Sequence, residues 1–588
     1  NLFLGGCGDS TYNLQGGVLE VGGSSLQGNF GSATTEYAFN LQGGTIRVIG
    51  SNLNSSVDIN VVDLDATPTA SFFDTNGFDA NLSGNISGDG GLIKQGLGTL
   101  TFSGSNREMS YLSVEAGAVS HTAGHTTVDA LLVGAYPSGG GGSDGEFVLS
   151  GGIFDVTADG GAVFIGSGSS GVNTGLVEIS GGTLNLGVSG DPAIRVDFYV
   201  GAFGSTGTAT VTQTDGTVNK LSDLGVFHIG NQSAGIYNLE GGVINVAGDN
   251  GMVLGRSGSS GDGDGTLNVS GGELIFTDGT DLLLGGAQDT EPMTGSGIVN
   301  QTGGLVSLRD GGSLVVGKRG AGIYNLDGGV LEIGGLNRLR SDGGSHQFNM
   351  GGGTLKFIAA SSVASEINPM LKAGTTSRLD TNGNDVDVNG GFSGSGNWVK
   401  MGSGVLSLLG TSTHTGSTQL DAGTLRVVAT LGGSSLAINA GTRLAGSGTV
   451  SASTQVDGTL APGDSPGLIS FTNGLSLGAL STTEIEITAN SDSGRGVNYD
   501  GINVLGGFTI ADGATISLIF NSAGSSVDFG DSFWLSDHSW LLFDGDESPA
   551  IGSSIFMEVS ADSEGNSFSS LIGAFHLAVS GDNYNLNF

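Results

Sequence analysis

A short unit recurs along this chain: an apolar strand, a turn on glycines, then aromatic-Asn-Leu-x-Gly-Gly-x-Leu-x-Val. The fullest copy, Leu314 to Ile333, reads LVVGKRGAGIYNLDGGVLEI. Other copies carry Tyr12-Asn13-Leu14 before Gly16-Gly17, Phe39-Asn40-Leu41 before Gly43-Gly44, Tyr237-Asn238-Leu239 before Gly241-Gly242, and Phe348-Asn349-Met350 before Gly352-Gly353; looser ones sit at Gly151-Gly152, Gly181-Gly182, Gly271-Gly272 and Gly303-Gly304. After each glycine pair two apolar residues flank a polar one, as in Leu184-Asn185-Leu186, Ile244-Asn245-Val246, Leu331-Glu332-Ile333, Leu355-Lys356-Phe357 and Leu425-Arg426-Val427. A strand with that period sends both apolar residues inward, and a single rung cannot bury them without rungs above and below. From Gly151 onward the copies are mostly 24 to 34 residues apart, which suits one turn of a three-sided β-helix and is too short for a four-stranded propeller blade. The glycine pairs read as corners needing positive φ.

Composition removes the alternatives. The 113 glycines lack the every-third-residue period of collagen, and 37% of the 588 residues are hydrophobic, so the chain is neither a triple helix nor a polar disordered tract. Eighteen lysines and arginines against 56 aspartates and glutamates give a net charge of −38, which disfavours nucleic acid and an anionic bilayer as partners. No apolar run reaches the roughly 20 residues of a membrane-spanning helix. The lone cysteine, Cys7, forms no intrachain disulfide, so stability rests on packing and backbone hydrogen bonds.

Seven asparagines occupy the same slot of the unit, Asn13, Asn40, Asn238, Asn268, Asn300, Asn325 and Asn349. Stacked rungs place such amides about 4.8 Å apart in a ladder; a row of groups that binds a sugar polymer is the competing reading. Leu2, Phe3, Leu4, Gly5 and Gly6 already stand in register with Leu314 to Gly317, so the repeat begins at once. Either upstream coils are missing, or another subunit completes the stack in a head-to-tail filament. Trp534 and Trp540, in the last stretch, read as core or as junction anchors.

Two segments break the simple unit and match each other. Asp74-Thr75-Asn76-Gly77 leads to GDGGLIKQGLGTLTFSG, and Asp380-Thr381-Asn382-Gly383 leads to GSGNWVKMGSGVLSLLG, continuing through HTGSTQLDAGTLRV to Val427. They resemble the autotransporter-associated β-strand repeat, with Lys94 and Lys400 at the signature lysine, and LAGSGTV from Leu444 and DGTLAPGDSPGLI from Asp457 resemble the stretch where passenger coils finish. The resemblance implies a right-handed parallel β-helix exported to the cell exterior, with no family-wide catalytic residues. About 120 residues after Pro466 are too few and too irregular for a membrane barrel of ten-residue strands. The ending resembles exported proteins with a C-terminal Pro-Glu-Pro sorting tag, expected to lie beyond Phe588 or to have been removed, as a signal peptide before Asn1 would have been.

Parallel β-helices also carry pectate-lyase chemistry, which needs clustered carboxylates with a basic residue, or paired acids. The acids here are scattered. Asp144, Asp262, Asp264 and Asp310 stand in glycine loops as solvated acids or weak calcium ligands. His121 and His125 are four apart, about 13 Å along a strand, so they do not share a zinc. Ser536-Asp537-His538-Ser539 lacks a nucleophile elbow and reads as a surface turn.

The sequence therefore predicts an all-β protein of two parts. Residues 1–467 form a parallel β-solenoid of about twenty coils, on the order of 100 Å long at the strand spacing. Residues 468–588 form a smaller β-rich cap, anchor or junction domain. The expected role is non-catalytic and extracellular: a head-to-tail filament or surface-layer subunit first, a monomeric adhesin binding extracellular polysaccharide second, a carbohydrate-active enzyme third. No cofactor is expected apart from weakly held calcium.

Overall fold

The structure, a computed structural model, describes residues 2–5, 8–28, 36–63, 70–135, 143–168, 172–191, 193–259, 261–286, 294–569 and 573–588; Gly6 and Cys7 lie outside them. The chain divides into two compact units, residues 1–333 with 341–347 and residues 334–340 with 348–588. Both are parallel β-solenoids, and no α-helix occurs among the described residues.

In the first unit three ladders run side by side. The first face carries Ser10–Leu14, Tyr37–Leu41 and Ile59–Val61 early on, then Val243–Val246, Glu273–Phe276, Leu305–Leu308 and Val330–Ile333. The second carries Val196–Ala202, Phe227–Asn231, Met252–Arg256, Leu282–Leu284 and Leu314–Val316. On the third, Ala234–Leu239 pairs with Asp264–Val269, then Ser296–Gln301, then Ala321–Leu326, all parallel and without a register slip. From Phe227–Asn231 onward each strand of this unit bonds to the one three places on, which is what a three-sided coil requires.

Alternation builds the core. Ala234–Leu239 and Ala321–Leu326 bury every second residue, and Tyr237, Leu267, Val299 and Tyr324 stack inward at 0% exposure. Two glycine corners make the coil possible. Gly242 has φ +73°, where an L side chain is strained. Gly265 has an ordinary φ but sits where the second face crosses to the third, and a Cβ there would lie 2.0 Å from the Ile229 carbonyl oxygen and 2.6 Å from the Gly255 nitrogen.

The second unit repeats the plan. One ladder runs through Thr376–Asp380, Asn397–Met401, Ser417–Leu420, Ser435–Ile438 and Ser453–Val456. A second joins Val405–Leu408, Thr424–Val427, Arg443–Gly446 and Thr459–Pro462. The fading of the repeat near Leu468 marks longer coils and not the end of parallel pairing: Leu468–Phe471 pairs with Gly501–Val504, and Thr482–Glu486 with Thr515–Ile519 and then Phe556–Val559. Only then does the pattern change. Ser539–Gly545 pairs antiparallel with Asn583–Asn587, and that strand antiparallel with His576–Ser580.

Candidate functional site: buried corner clamps and outward rows

The two signature lysines point inward and are fully buried. Lys94 Nζ donates to the carbonyls of Gln95 (3.0 Å), Gly96 (2.7 Å) and Ala116 (2.9 Å). Lys400 Nζ donates to Gly402 (2.5 Å), Gly404 (2.6 Å) and Ala422 (2.9 Å), and to Thr381 Oγ1 (3.2 Å). Each ammonium thus ties a glycine corner to the next rung. The Asp-Thr-Asn-Gly boxes complete the device: Asp74 and Asp380 accept from the backbone nitrogens of Asn76 and Asn382, which turn at φ +49°, and Thr75 and Thr381 donate to the Gln95 and Met401 carbonyls. Burial pulls both lysines down to about 8, while Asp74 with Asp79, and Asp380 with Asp385, oppose that pull.

Other residues do the same work without a signature in the sequence. Lys220 Nζ reaches the Ser222 and Ala247 carbonyls, both at 2.6 Å. Arg107 turns inward to Gly104 O, Ala123 O and Thr126 Oγ1. His121 lies between Gly151 O (2.8 Å) and Thr126 Oγ1 (3.0 Å), and burial drives it down to about 4. Gln213 and Gln301 donate to the Val243 and Val330 carbonyls, at 3.2 and 2.8 Å. A polar residue at an inward position of an otherwise apolar strand is the signal that would have found them.

The outward asparagines fall on different faces. Asn40 donates to Asn13 at 2.7 Å and Asn60 to Asn40 at 3.0 Å, on the first face. Asn268, Asn300 and Asn325 donate to Asn238, Asn268 and Asn300 at 2.8, 2.9 and 2.9 Å, on the third. Asn349 lies in the second unit, buried, its backbone paired with Met370. Coil length varies without breaking either row: successive amides are 27 and then 20 residues apart in the first and 30 and 32 in the other. A row not foreseen from the aromatic-Asn-Leu string runs along the first face, where Asn185 donates to Asp155, Asn219 to Asn185 and Asn245 to Asn219, each at 2.8 Å. Between the two first-face rows lies an open trough of about 540 Å³ lined by Asp58, Asn85, Ser87, Asn106, Glu108 and His125.

The chemical candidates separate on geometry. His121 is internal, whereas His125 is outward and 2.8 Å from Asp155. Asp144, Asp262 and Asp264 accept from Thr174, Thr294 and Ser296, and Asp310 faces the Asp278 nitrogen at 3.4 Å; among the described residues no three His, Cys, Asp or Glu are grouped to hold a metal. His538 comes close to a hydrolytic arrangement, with Nε2 3.2 Å from Ser536 Oγ and Nδ1 3.1 Å from Asp492. Nε2 is, however, 2.6 Å from the Phe533 carbonyl oxygen. It must donate there, so no lone pair remains to activate Ser536.

Of the residues considered for a junction, Leu2, Phe3 and Leu4 pair in parallel with Leu26, Gln27 and Gly28; Phe3 is 47% exposed and Leu4 is buried. Trp534 and Trp540 are buried at 1% and 0%. Their indoles donate to Asp528 O and Asn490, and to Ser491 O. Phe520 and Phe575 pack around them, so both rings belong to this unit's own core.

No helix among the described residues is long and apolar enough to cross a membrane. Residues 92–130 and 399–427, which contain Lys94 and Lys400, match the passenger-associated-transport-repeat family model. The chain is also similar to the BmaC autotransporter adhesin of Brucella suis biovar 1 (strain 1330), 29% identical over 276 residues, or 42% of this chain and 8% of the adhesin; it spans less than a tenth of that relative's length. It is an autotransporter-passenger-like repeat protein, and its place is extracellular or on the bacterial cell surface.

Proposed function

We propose that the chain is a non-catalytic, adhesin-type passenger in which the solenoid presents a binding surface outside the cell. The carrying observation is the similarity to an autotransporter adhesin across 42% of the chain. The inward use of Lys94, Lys220, Lys400, Arg107, Gln213 and Gln301 as corner clamps supports it, because it commits those groups to the fold. The partner is an extracellular target, with polysaccharide the reading that the polar rows and troughs favour. No cofactor enters this proposal. Beads coated with the purified chain are expected to attach to polysaccharide-coated wells and to cell monolayers above an albumin control; attachment equal to albumin on every surface would overturn it.

A head-to-tail filament is the second reading, supported by the repeating parallel rungs themselves. The antiparallel Asn583–Asn587 strand covers the edge of Ser539–Gly545, which closes that one ladder to a further parallel rung and ranks this reading behind the adhesin. Electron microscopy at neutral pH, with and without a chelator, decides it: unbranched fibres would restore it, and single particles would end it.

A further inference from the structure

On the second face the outward column is aromatic at two adjacent rungs. Phe164 and Tyr199 pair in register, their rings stacked at 5.2 Å and 5°. Phe203 leans on both at 5.7 Å, tilted 53° and 54°. It is 39% exposed and turns at φ +59°, a conformation costly for a bulky side chain. At the same corner one rung later, after the Ala202–Asn231 register pair, Gln232 also turns at a positive φ, +63°. The cluster is rigid at its polar edge. Tyr199 donates to Asp197 at 3.0 Å, and Asp197 also receives Arg195 through Nε and Nη2 and the Val226 nitrogen. The Arg195 side chain is 52% exposed, a guanidinium held on Asp197 at the hydroxyl edge of Tyr199 in a chain of net charge −38.

We infer that Phe164, Tyr199 and Phe203 with the Arg195–Asp197 pair form a saccharide subsite, which takes one or two neutral sugar rings of a polysaccharide. This rests on the adhesin reading and names where and what it binds. Sugars present apolar C–H faces with hydroxyls around the edge, so a ligand of that kind needs aromatic surface and fixed polar donors together. A protein partner is the poorer fit, because about 800 Å² per side is usual for a stable interface and three partly covered rings offer far less. Phe203 is the decisive residue. At 39% exposure it offers far more free ring surface than Tyr199 at 8%, and it holds a left-handed backbone that glycine would adopt at less cost.

The test immobilises cellulose, xylan, mannan and β-1,3-glucan and measures binding of the full chain, of Phe203→Gly and Phe164→Ala, and of Leu480→Ala, an exposed residue of the second unit outside the polar rows and troughs, with thermal unfolding of each. The expected result is binding of at least one polysaccharide, a loss of tenfold or more in both aromatic variants, none in Leu480→Ala, and a Phe203→Gly midpoint equal to or above wild type. Binding that persists in both aromatic variants would overturn the subsite and leave the adhesin reading standing. So would a wild-type chain that attaches to cells but to none of the four polysaccharides. A Phe203→Gly chain that melts lower yet binds as well as wild type would assign the ring to folding. A wild-type chain that neither attaches to cells nor binds polysaccharide would remove both readings at once.

Discussion

The hydroxyl of Tyr237 donates a 2.7 Å hydrogen bond to Oε1 of Gln213 on the neighbouring rung, and Tyr324 repeats the contact with Gln301 at 2.6 Å. Both tyrosines are completely buried, and burial pushes their hydroxyls far above the usual phenol range. The amide in turn holds the Val243 or Val330 carbonyl. Each pair is therefore a buried tie between rungs, and its members depend on each other. Tyr237→Phe is expected to leave the Gln213 oxygen without its donor and to cost about 1–3 kcal/mol, read as a lower urea midpoint at unchanged slope.

The lysine clamps should be less forgiving. Lys400→Met strands four oxygens, those of Thr381, Gly402, Gly404 and Ala422, and a buried polar network stripped of one partner loses about 3–5 kcal/mol. Lys94→Met strands three and should cost less. Hydrogen exchange would show the loss concentrated around the altered corner; uniform loss of protection would count against a local clamp.

The corner at Gly265 makes a steric prediction. A Cβ 2.0 Å from the Ile229 oxygen cannot be accommodated without moving backbone, so Gly265→Ala should lower stability by more than about 3 kcal/mol. Gly190, with φ +84° and no atom near its added Cβ, provides the comparison; alanine there should cost only about 1–2 kcal/mol. Equal midpoints for the two variants would show that close approach is not what the column requires.

Acid should weaken the fold through its buried imidazoles. Burial lowers His121 and His414 from 6.5 to about 4, so between those values the unfolded chain takes up protons that the folded chain refuses. Their contribution is complete above about pH 6.5 and falls away as pH drops towards 4, by at most about 3 kcal/mol per ring. His414 Nε2 faces the Trp398 indole and Thr418, and a proton there would set it against the Trp398 N–H. Asp500 acts in the opposite sense: burial raises it to about 7, and its share of stability falls as pH rises from 3.8 to 7. Melting His414→Gln and wild type at pH 7.5 and 5.0 separates these terms, because the variant should lose less between the two values.

Much of the plan was legible because a period of two and a glycine pair each have one structural meaning. Leu331-Glu332-Ile333 can only be a half-buried strand once it repeats, and the Lys94 and Lys400 segments announced their class. Other features were not readable from local strings. Asn13 and Asn238 share a string yet lie on different faces, because the face depends on how many strand segments lie between them and not on the string itself. Asn185, Asn219 and Asn245 form a row although the residues around them differ. Gln213 and Arg107 look like surface residues until their strands are phased against neighbours, and the three-ring cluster joins Phe164 to Tyr199, residues 35 positions apart in the chain that register alone brings together.

The shift of the asparagine string from one face to another carries a lesson about how such a protein can change. Shortening or lengthening a coil by one strand turns everything downstream by a third of a revolution while leaving each rung's pairing rules intact. Insertions and deletions, destructive in most folds, here act as a dial: they re-aim an existing surface towards a new direction without altering a single side chain in it.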